Sequence, residues 1–204
     1  MKNTKLLFIV NADWFFLSHR LPIAVEAMNL GYEVHIATKI TNKMDTLIEK
    51  GLIVHPINLE RSKVSVITLI SEYLEIRKII KSINPNIVHL VTIKPVLLGG
   101  IALRFLDVDA VVFAVSGLGF VFINKGIVAS LRIKITKLLY RIALGHKNKQ
   151  LIFQNIDDQN KITNFSKISL NEVNLIPGSG VDLEYFKPMS SNSQTPVILL
   201  GSRL

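Results

Sequence analysis

Residues 5–24 read KLLFIVNADWFFLSHRLPIA, and this stretch decides the fold. The run at 5–10 is continuously apolar after Lys5, which is typical of a strand buried on both faces. Residues 11–20 mix three aromatic side chains with charged and polar ones, and an amphipathic stretch begins at Leu21. We interpret 11–20 as a loop that connects a first strand to a first helix.

The rest of the chain repeats this alternation of short apolar runs with longer amphipathic ones. Strands are predicted at Lys5–Val10, Val34–Thr38, Val54–Ile57, Ile87–Val91, Ala110–Val115, Leu151–Gln154 and Val173–Ile176. Helices are predicted at Leu21–Leu30, Lys43–Lys50, Val66–Ile83, Val96–Phe105, Val128–Leu144 and Asp157–Phe165. The pattern predicts an α/β protein with a Rossmann-like, open and mostly parallel sheet and helices on both faces.

Composition narrows the class of protein. The 204 residues are 49% hydrophobic and 19% charged, so the chain can bury a core. It has no cysteine, which excludes disulfides and thiolate metal sites and fits a reducing compartment. The uncharged stretch at 110–124 is too short to span a bilayer and contains glycines. We expect a cytoplasmic protein, soluble or peripheral on a membrane.

The charge balance is 24 basic against 15 acidic residues, a net +9. Such a surface attracts nucleic acid, anionic lipid or a phosphorylated small molecule, and charge alone does not choose among them. A generally basic, solvated surface remains an alternative. A nucleic-acid-binding domain is disfavoured because the chain has no recognisable nucleic-acid motif and its aromatic residues cluster in one loop.

Several catalytic motifs are missing. The first loop has no glycine, so it is not a dinucleotide-binding turn, and SGLGFVF at 116–122 lacks the third glycine. No P-loop, zinc-ligand spacing or nucleophile elbow occurs. A hydrolase or a nicotinamide-dependent enzyme is therefore poorly supported.

Ligands of open α/β sheets bind at the carboxyl ends of the strands. Five polar or glycine-rich loops follow predicted strands, namely those at 11–20, 92–94, 116–120, 154–159 and 177–182. Because the strands are predicted to be parallel, these loops should meet along one rim. Their convergence indicates a ligand-binding groove there.

The carboxy-terminal tail differs in composition. Residues 177–196 are rich in glycine, proline and serine, which predicts a linker after a domain at 1–176. VILLGSRL at 197–204 reads as one further strand. A strand needs neighbours, so we predict the start of a truncated second domain there.

The order of five segments resembles the amino-terminal domain of family-4 glycosyltransferases of the GT-B fold. They are NADWFFLSHRLPIA, NPNIVHLVTIKP, FAVSGLGFVF, IFQNIDDQ and IPGSGVDLEYFKP. The strongest similarity is to bacterial enzymes that build O-antigen, capsule or lipid-linked glycans with N-acetylhexosamines. IPGSGVD stands where many members have IPNGVD, and many carry a histidine where this chain has Val91.

The resemblance implies retaining transfer of a sugar from a UDP-sugar, without a metal or other cofactor. It implies an acceptor-binding domain at 1–176 and a donor-binding domain that begins at 197. The expected partners are the nucleotide sugar, an undecaprenyl-diphosphate-linked saccharide and the cytoplasmic leaflet of the inner membrane. Arg203 matches the arginine that neutralises the leaving diphosphate, and the catalytic residues are not identified. A non-catalytic acceptor-binding subunit, or a fragment that needs a separate donor-binding chain, is the alternative.

The rim residues are candidates for acceptor binding: Asp13, Trp14, Phe16, His19, Arg20, Thr92, Lys94, Ser116 and Gly117. Aromatic rings cover the apolar faces of sugars and lipid tails, and a carboxylate accepts from hydroxyl groups. Arg20 opposes the dipole at a helix N-terminus, which favours a role such as gripping a phosphate. The structural alternatives are packing over the first helix for the aromatic residues, a solvated lysine for Lys94, and a solvated charge or a salt bridge for Arg20. His89 is expected to face the core, and Asn155 or Asp157 to cap a helix.

The predicted helix Val128–Leu144 is amphipathic. Lys134, Lys137 and Arg141 share one face, and Leu131, Ile135, Leu138, Leu139 and Ile142 lie on the other. A basic amphipathic helix can lie on an anionic leaflet, so the three basic residues are predicted to face the membrane. The alternative is an ordinary helix whose apolar face packs on the sheet.

Overall fold

The computed structural model describes residues 4–60, 65–118 and 127–187. Its centre is a seven-stranded sheet in the order β3-β2-β1-β4-β5-β6-β7, and every neighbouring pair is parallel. The strands are β1 Lys5–Val10, β2 Glu33–Thr38, β3 Ile53–Pro56, β4 Ile87–Val91, β5 Ala110–Val115, β6 Lys149–Phe153 and β7 Val173–Leu175. The predicted fold class is confirmed, and the predicted strand ends differ from the observed ones by at most two residues.

Helices connect the strands. They are α1 Asp13–His19, α2 Leu21–Asn29, α3 Met44–Glu49, α4 Val66–Ile83, α6 Ile127–Ala143 and α7 Ile156–Thr163, with α5 between α4 and α6. Helix α5 begins as a π-helix, Pro95–Gly99, and continues as a single α-helical turn, Gly100–Leu103. Because helices follow strands in alternation, they form a layer on each face of the sheet.

The two faces of the sheet carry separate cores. Leu7 and Ile9 of β1 point to the face covered by α4, α5, α6 and α7. Their neighbours Phe8 and Val10 point to the face covered by α1, α2 and α3. Alternation of successive side chains across a strand explains the division, and burial on both faces explains why the strands are continuously apolar.

Helix α1 corrects the prediction of a loop at 11–20. Asp13–His19 forms two helical turns between β1 and α2. Phe16 is buried and packs edge-to-face on Phe8, with 5.5 Å between ring centroids. The aromatic residues are therefore part of a helix that anchors the second core.

Two adjacent glycines allow α5 to pack closely. A Cβ atom on Gly99 would lie 2.6 Å from Cδ2 of Leu90 on β4, and one on Gly100 would lie 2.7 Å from the carbonyl oxygen of Ala143 on α6. Real Cβ atoms do not approach other atoms that closely. The glycines thus let the backbone of α5 lie directly against β4 and α6.

Polar side chains fasten the amino-terminal edge of the sheet. Asn86 accepts from the backbone N–H of Lys5 at 3.0 Å, and its Nδ2 donates to Oδ2 of Asp109 at 2.9 Å. Asn148 donates from Nδ2 to the carbonyl oxygen of Asp109 at 2.8 Å. These bonds connect the residues that precede β4, β5 and β6, so one edge of the sheet is closed by structural hydrogen bonds.

Candidate functional site

The opposite edge carries the carboxyl ends of the strands. The strand order reverses between β1 and β4, because β1 leads outward through β2 and β3 while β4 leads outward through β5 to β7. In open α/β sheets, ligands bind in the crevice outside such a reversal. The register Ile9 to Leu90 places Asn11 and Thr92, the residues just beyond the two strands, at this point.

Both of these residues carry unsatisfied polar atoms. Oδ1 of Asn11 and Oγ1 of Thr92 are buried and have no hydrogen-bond partner among the described residues. Thr92 also has a positive φ of 74°, which is unusual for a β-branched residue and stores backbone strain. Strain and orphaned polar atoms cluster at functional sites, so the reversal point is a candidate ligand site.

A pocket of about 310 Å³ lies next to the reversal point. Its walls come from α2, from the strands β4 and β6, and from the segment that follows β7. The lining residues are Arg20, Ile23, His89, Ile152, Gln154, Ile176, Pro177, Gly178, Ser179 and Gly180.

Arg20 is the charged residue of this pocket. It lies between α1 and α2 and is only 6% exposed. Its Nη1 donates to the carbonyl oxygen of His19 at 2.8 Å and to Oγ of Ser179 at 3.0 Å, while its Nε is buried without a partner. Burial lowers the pKa of Arg20. The predicted alternatives, a solvated charge or a salt bridge, do not describe this side chain within the described residues.

His89 forms part of the same wall. Its ring stacks on Phe8 with 4.9 Å between centroids, and its Nε2 is buried without a partner. Burial, and to a lesser extent the nearby charge of Arg20, lowers the pKa of His89 to about 3. The imidazole is therefore neutral at physiological pH. It faces the second core, as predicted, and in addition lines the pocket.

Helix α1 presents two of the predicted acceptor residues at the surface and buries two others. Trp14 is 38% exposed, and His19 is half-buried and stacked on Phe15 at 4.2 Å. Phe16 belongs to the core, so its predicted contact with an acceptor is incompatible with its position.

Asp13 is also buried, and its carboxylate is fully engaged. It accepts from the backbone N–H and hydroxyl of Thr41, each at 2.7 Å, and from the N–H groups of Trp14 and Lys43 at 2.7 and 3.1 Å. Burial acts to raise its pKa, but the hydrogen bonds from Thr41, Trp14 and Lys43 outweigh burial and lower it. Asp13 therefore holds the segment after β2 in place, in contrast to the predicted contact with sugar hydroxyls.

Lys94 likewise has a structural partner. Its Nζ lies 2.8 and 2.9 Å from the two carboxylate oxygens of Glu72 on α4 and also donates to the carbonyl oxygen of Glu60. Glu72 is 2% exposed and accepts from the backbone N–H of Glu60. The prediction that Lys94 meets an acceptor diphosphate conflicts with this buried ion pair.

The remaining rim residues lie at the ends of β5 and β6. Ser116 and Gly117 follow β5, and Gly117 has a φ of 101° that a residue with a side chain rarely adopts. Asn155 caps α7 by accepting from the N–H of Asp158 at 2.8 Å, as predicted. Gly119 and Arg203 lie outside the described residues, as do residues 197–204, so the roles predicted there stay predictions.

Helix α6 contradicts the alternative prediction that its apolar face packs on the sheet. Four of its apolar residues, spaced by four, three and four positions, are exposed on one face: Leu131, Ile135, Leu138 and Ile142. Tyr140, Ala143 and Leu144 pack inward instead. Lys134, Lys137 and Arg141 are exposed, and Nζ of Lys137 lies 5.7 Å from the ring centroid of Phe165. An apolar stripe with basic neighbours thus faces outward.

Sequence reasoning named Arg20 and the loops that carry Gln154 and Ser179, but it did not single out Gln154, Ser179 or Asn11. Ser179 was part of a predicted turn, and Gln154 and Asn11 immediately follow strands. The position of these residues close after buried strands was the feature of the sequence that could have identified them as site residues. Among the described residues, no helix is long and apolar enough to cross a bilayer, and no group of three or more histidine, aspartate or glutamate side chains is arranged to hold a metal.

Comparison with known proteins identifies the family. Residues 5–155, well over half of the 204, match the family described as Glycosyl transferase 4-like. The chain belongs to this family. No match was found among curated proteins.

Solved structures share the fold. A glycosyltransferase from Rickettsia africae is 21% identical with a TM-score of 0.60, over 92% of this chain and 46% of that one. Sucrose-phosphate synthase from Thermosynechococcus elongatus is 14% identical with a TM-score of 0.64, over 92% and 51%. Anabaena HepE, solved with UDP and glucose, is 11% identical with a TM-score of 0.57, over 92% and 47%. The chain spans about half the length of these structures, and its fold is the predicted amino-terminal half of a GT-B glycosyltransferase.

Proposed function

We propose that this chain is the acceptor-binding half of a glycosyltransferase that acts on a lipid-linked saccharide. The donor is a UDP-sugar, in particular a UDP-N-acetylhexosamine, and the product retains the configuration of the transferred sugar. Family membership over residues 5–155 carries the transferase assignment. The complex of a structural neighbour with UDP and glucose supports a nucleotide sugar as donor.

The carboxyl rim of the sheet is the proposed acceptor side. Trp14 offers an exposed ring for the apolar face of a sugar, and Thr92, Ser116 and Gly117 lie at the ends of the adjacent strands β4 and β5. His19 is the last residue of α1 and can exchange hydrogen bonds with sugar hydroxyls. These residues come from three separate parts of the sequence, which is what a groove for an extended acceptor requires.

Helix α6 supports a lipid-linked acceptor. Its exposed stripe of leucine and isoleucine lies beside Lys134 and Arg141, a combination that suits the boundary between lipid headgroups and acyl chains. An anionic leaflet complements the +9 net charge of the chain. We propose that α6 places the protein on the cytoplasmic face of the inner membrane, within reach of an undecaprenyl-diphosphate-linked saccharide.

The proposed sugar transfer depends on stabilising the negative charge of the leaving diphosphate more than on an enzyme nucleophile. Transfer on one face of the sugar lets the departing diphosphate assist removal of the acceptor proton, and cationic groups that meet the developing negative charge supply the main stabilisation. Arg203 is proposed for this role, without a metal ion. In bacteria such a reaction belongs to the synthesis of surface polysaccharides or glycans, such as lipopolysaccharide or capsule.

The test is an activity measurement on the full-length protein. UDP release from UDP-N-acetylhexosamine is expected only when a polyprenyl-diphosphate-linked saccharide is added. Replacing Trp14 by Ala should raise the acceptor KM roughly tenfold, because apolar contact with the sugar is lost. The matched control is Phe105→Ala, which removes an exposed ring beyond the end of α5. UDP release that is indifferent to the lipid acceptor contradicts the proposal.

A further inference from the structure

We propose that the pocket beside α2 binds a phosphoryl group, using Arg20, His89 and the turn Gly178–Gly180 as its donors. This inference deepens the proposed function and rests on it for the source of the phosphoryl group. Two sources share the chemistry: the diphosphate of a nucleotide and the diphosphate of a lipid acceptor. The observations that define the pocket are independent of the proposed sugar transfer.

The first argument is the charge of Arg20. A guanidinium that is 6% exposed normally meets a carboxylate, but the described residues supply Arg20 only with a carbonyl and a hydroxyl oxygen. Its Nε–H has no acceptor among residues 4–60, 65–118 and 127–187. A buried cation with an unused donor is a strong attractor for an anion, and the planar guanidinium suits two oxygens of one phosphate.

The second argument is the unused nitrogen of His89. This side chain is also 6% exposed and lines the pocket, and its Nε2 is buried with no hydrogen-bond partner in the part of the chain that the structure describes. A neutral imidazole offers one donor and one acceptor, so it can bind either an unprotonated or a protonated phosphate oxygen. Two nitrogens without a partner among the described residues therefore belong to side chains from separate elements that line one cavity.

The third argument is the turn after β7. Gly178 and Gly180 have φ values of 74° and 73°, so this backbone bends in a way that favours glycine. Oγ of Ser179 accepts from Arg20, which leaves the hydroxyl proton available to donate to a ligand. The turn thus adds a neutral hydroxyl donor across the pocket from His89.

The lining also selects the kind of ligand. Its described residues include no carboxylate, so no negative charge among them offsets the repulsion between Arg20 and a metal ion. Donors from three directions match a tetrahedral oxyanion better than a planar carboxylate. A volume of about 310 Å³ accommodates a diphosphate.

The test is calorimetric titration of the purified protein with pyrophosphate, UDP and farnesyl diphosphate, with acetate as the planar control anion. Arg20→Gln should weaken pyrophosphate binding by roughly tenfold or more, because a charge-assisted hydrogen bond is lost. The matched control is Arg77→Gln, which removes the same charge from α4 on the opposite face of the sheet. His89→Phe keeps the ring that stacks on Phe8 and should weaken binding severalfold, which tests the pocket independently if Arg20→Gln unfolds.

The results separate the possible sources. Equal losses for all three diphosphates in Arg20→Gln support a general phosphoryl site, a loss confined to farnesyl diphosphate assigns it to the acceptor, and a loss confined to UDP assigns it to the donor. No pyrophosphate binding at millimolar concentration, equal binding by acetate, or unchanged binding in both pocket variants overturns the inference. None of these results depends on sugar transfer, so the proposed function can fail or succeed separately.

Discussion

Nζ of Lys94 lies 2.8 and 2.9 Å from the two carboxylate oxygens of Glu72, and this buried ion pair ties the end of β4 to helix α4. The pair also holds the segment after β3, because Glu72 and Lys94 both bond to the backbone of Glu60. Lys94 therefore stabilises the rim of the sheet through these contacts.

Replacing Glu72 by Gln should lower the free energy of unfolding by about 3–5 kcal/mol, since it removes the carboxylate that pairs with the nearly buried Lys94 ammonium. Urea denaturation followed by circular dichroism measures the change. The control is Glu49→Gln on the exposed side of α3, which should alter stability by less than about 0.5 kcal/mol. Equal effects of the two substitutions contradict the structural role.

Replacing Asp13 by Asn should destabilise the protein by about 2–3 kcal/mol, because four donors from Thr41, Trp14 and Lys43 then face a neutral amide. The stabilisation should depend on pH. Because the pKa of Asp13 is lowered from its ordinary value of 3.8, its contribution is present above that pH and is lost as pH falls through the lowered pKa. Unfolding measured at pH 7 and pH 3 should show a smaller difference between the variant and the wild-type protein at pH 3.

His89 should make stability pH-dependent in a higher range. Its pKa is about 3 in the folded protein against an ordinary 6.5, so the unfolded chain binds the extra proton between these values. Its contribution is complete above pH 6.5 and declines as pH falls toward 3, at most by about 1.4 kcal/mol per pH unit. The thermal unfolding temperature should therefore decrease less between pH 7 and pH 4 in His89→Phe than in the wild-type protein. Parallel pH profiles for the two proteins rule out this role.

Replacing Gly100 by Ala should cost about 1–3 kcal/mol, because the new Cβ atom would meet the carbonyl oxygen of Ala143 at 2.7 Å. Gly145→Ala is the matched control, since its Cβ atom would meet only the flexible end of Arg104 at 3.1 Å and that end can move. Thermal denaturation of both variants tests the close packing of α5 on α6. A larger loss in Gly145→Ala goes against this packing argument.

Binding to anionic vesicles should depend on α6. Lys134→Gln with Arg141→Gln should reduce cosedimentation with phosphatidylglycerol vesicles about tenfold or more, at about 1 kcal/mol for each charge. Ile135→Ser with Leu138→Ser should reduce binding further by removing apolar contact. The control pair, Lys50→Gln with Lys147→Gln, removes the same charge elsewhere on the surface. Unchanged vesicle binding in both pairs of α6 substitutions contradicts a lipid partner. If the same substitutions change the oligomeric state in gel filtration instead, the stripe on α6 binds a second copy of the protein.

The strands could be predicted closely because burial on both faces makes them continuously apolar, as in Ile87–Val91 and Ala110–Val115. Helix α1 was missed because its polar and aromatic residues obscure the periodicity of a two-turn helix. Periodicity identified α6 as amphipathic but could not give the direction of its apolar face, which depends on what packs against it. The alternative prediction, in which this apolar face packs on the sheet, was wrong for Leu131 and Leu138.

The chemistry of individual rim residues was harder to predict. Lys94 and Arg20 look alike in the sequence, as basic residues beside the rim. In the described part of the chain, Lys94 pairs with a buried carboxylate and Arg20 has no carboxylate partner. The partners decide the difference, and Ser179 lies 159 positions from Arg20 in the chain. Only the folded arrangement brings such residues together.

The hydrogen-bonded amino-terminal edge of the sheet offers a position for attaching the protein to a surface. Asn86, Asp109 and Asn148 fasten that edge at the far end of the strands from the rim. Exposed Lys147 lies beside it, and the 204 residues contain no cysteine, so Lys147→Cys introduces a unique thiol. A dye or biotin coupled there should immobilise the protein with its rim directed toward the solution, where single-molecule measurements can observe ligands arriving and leaving.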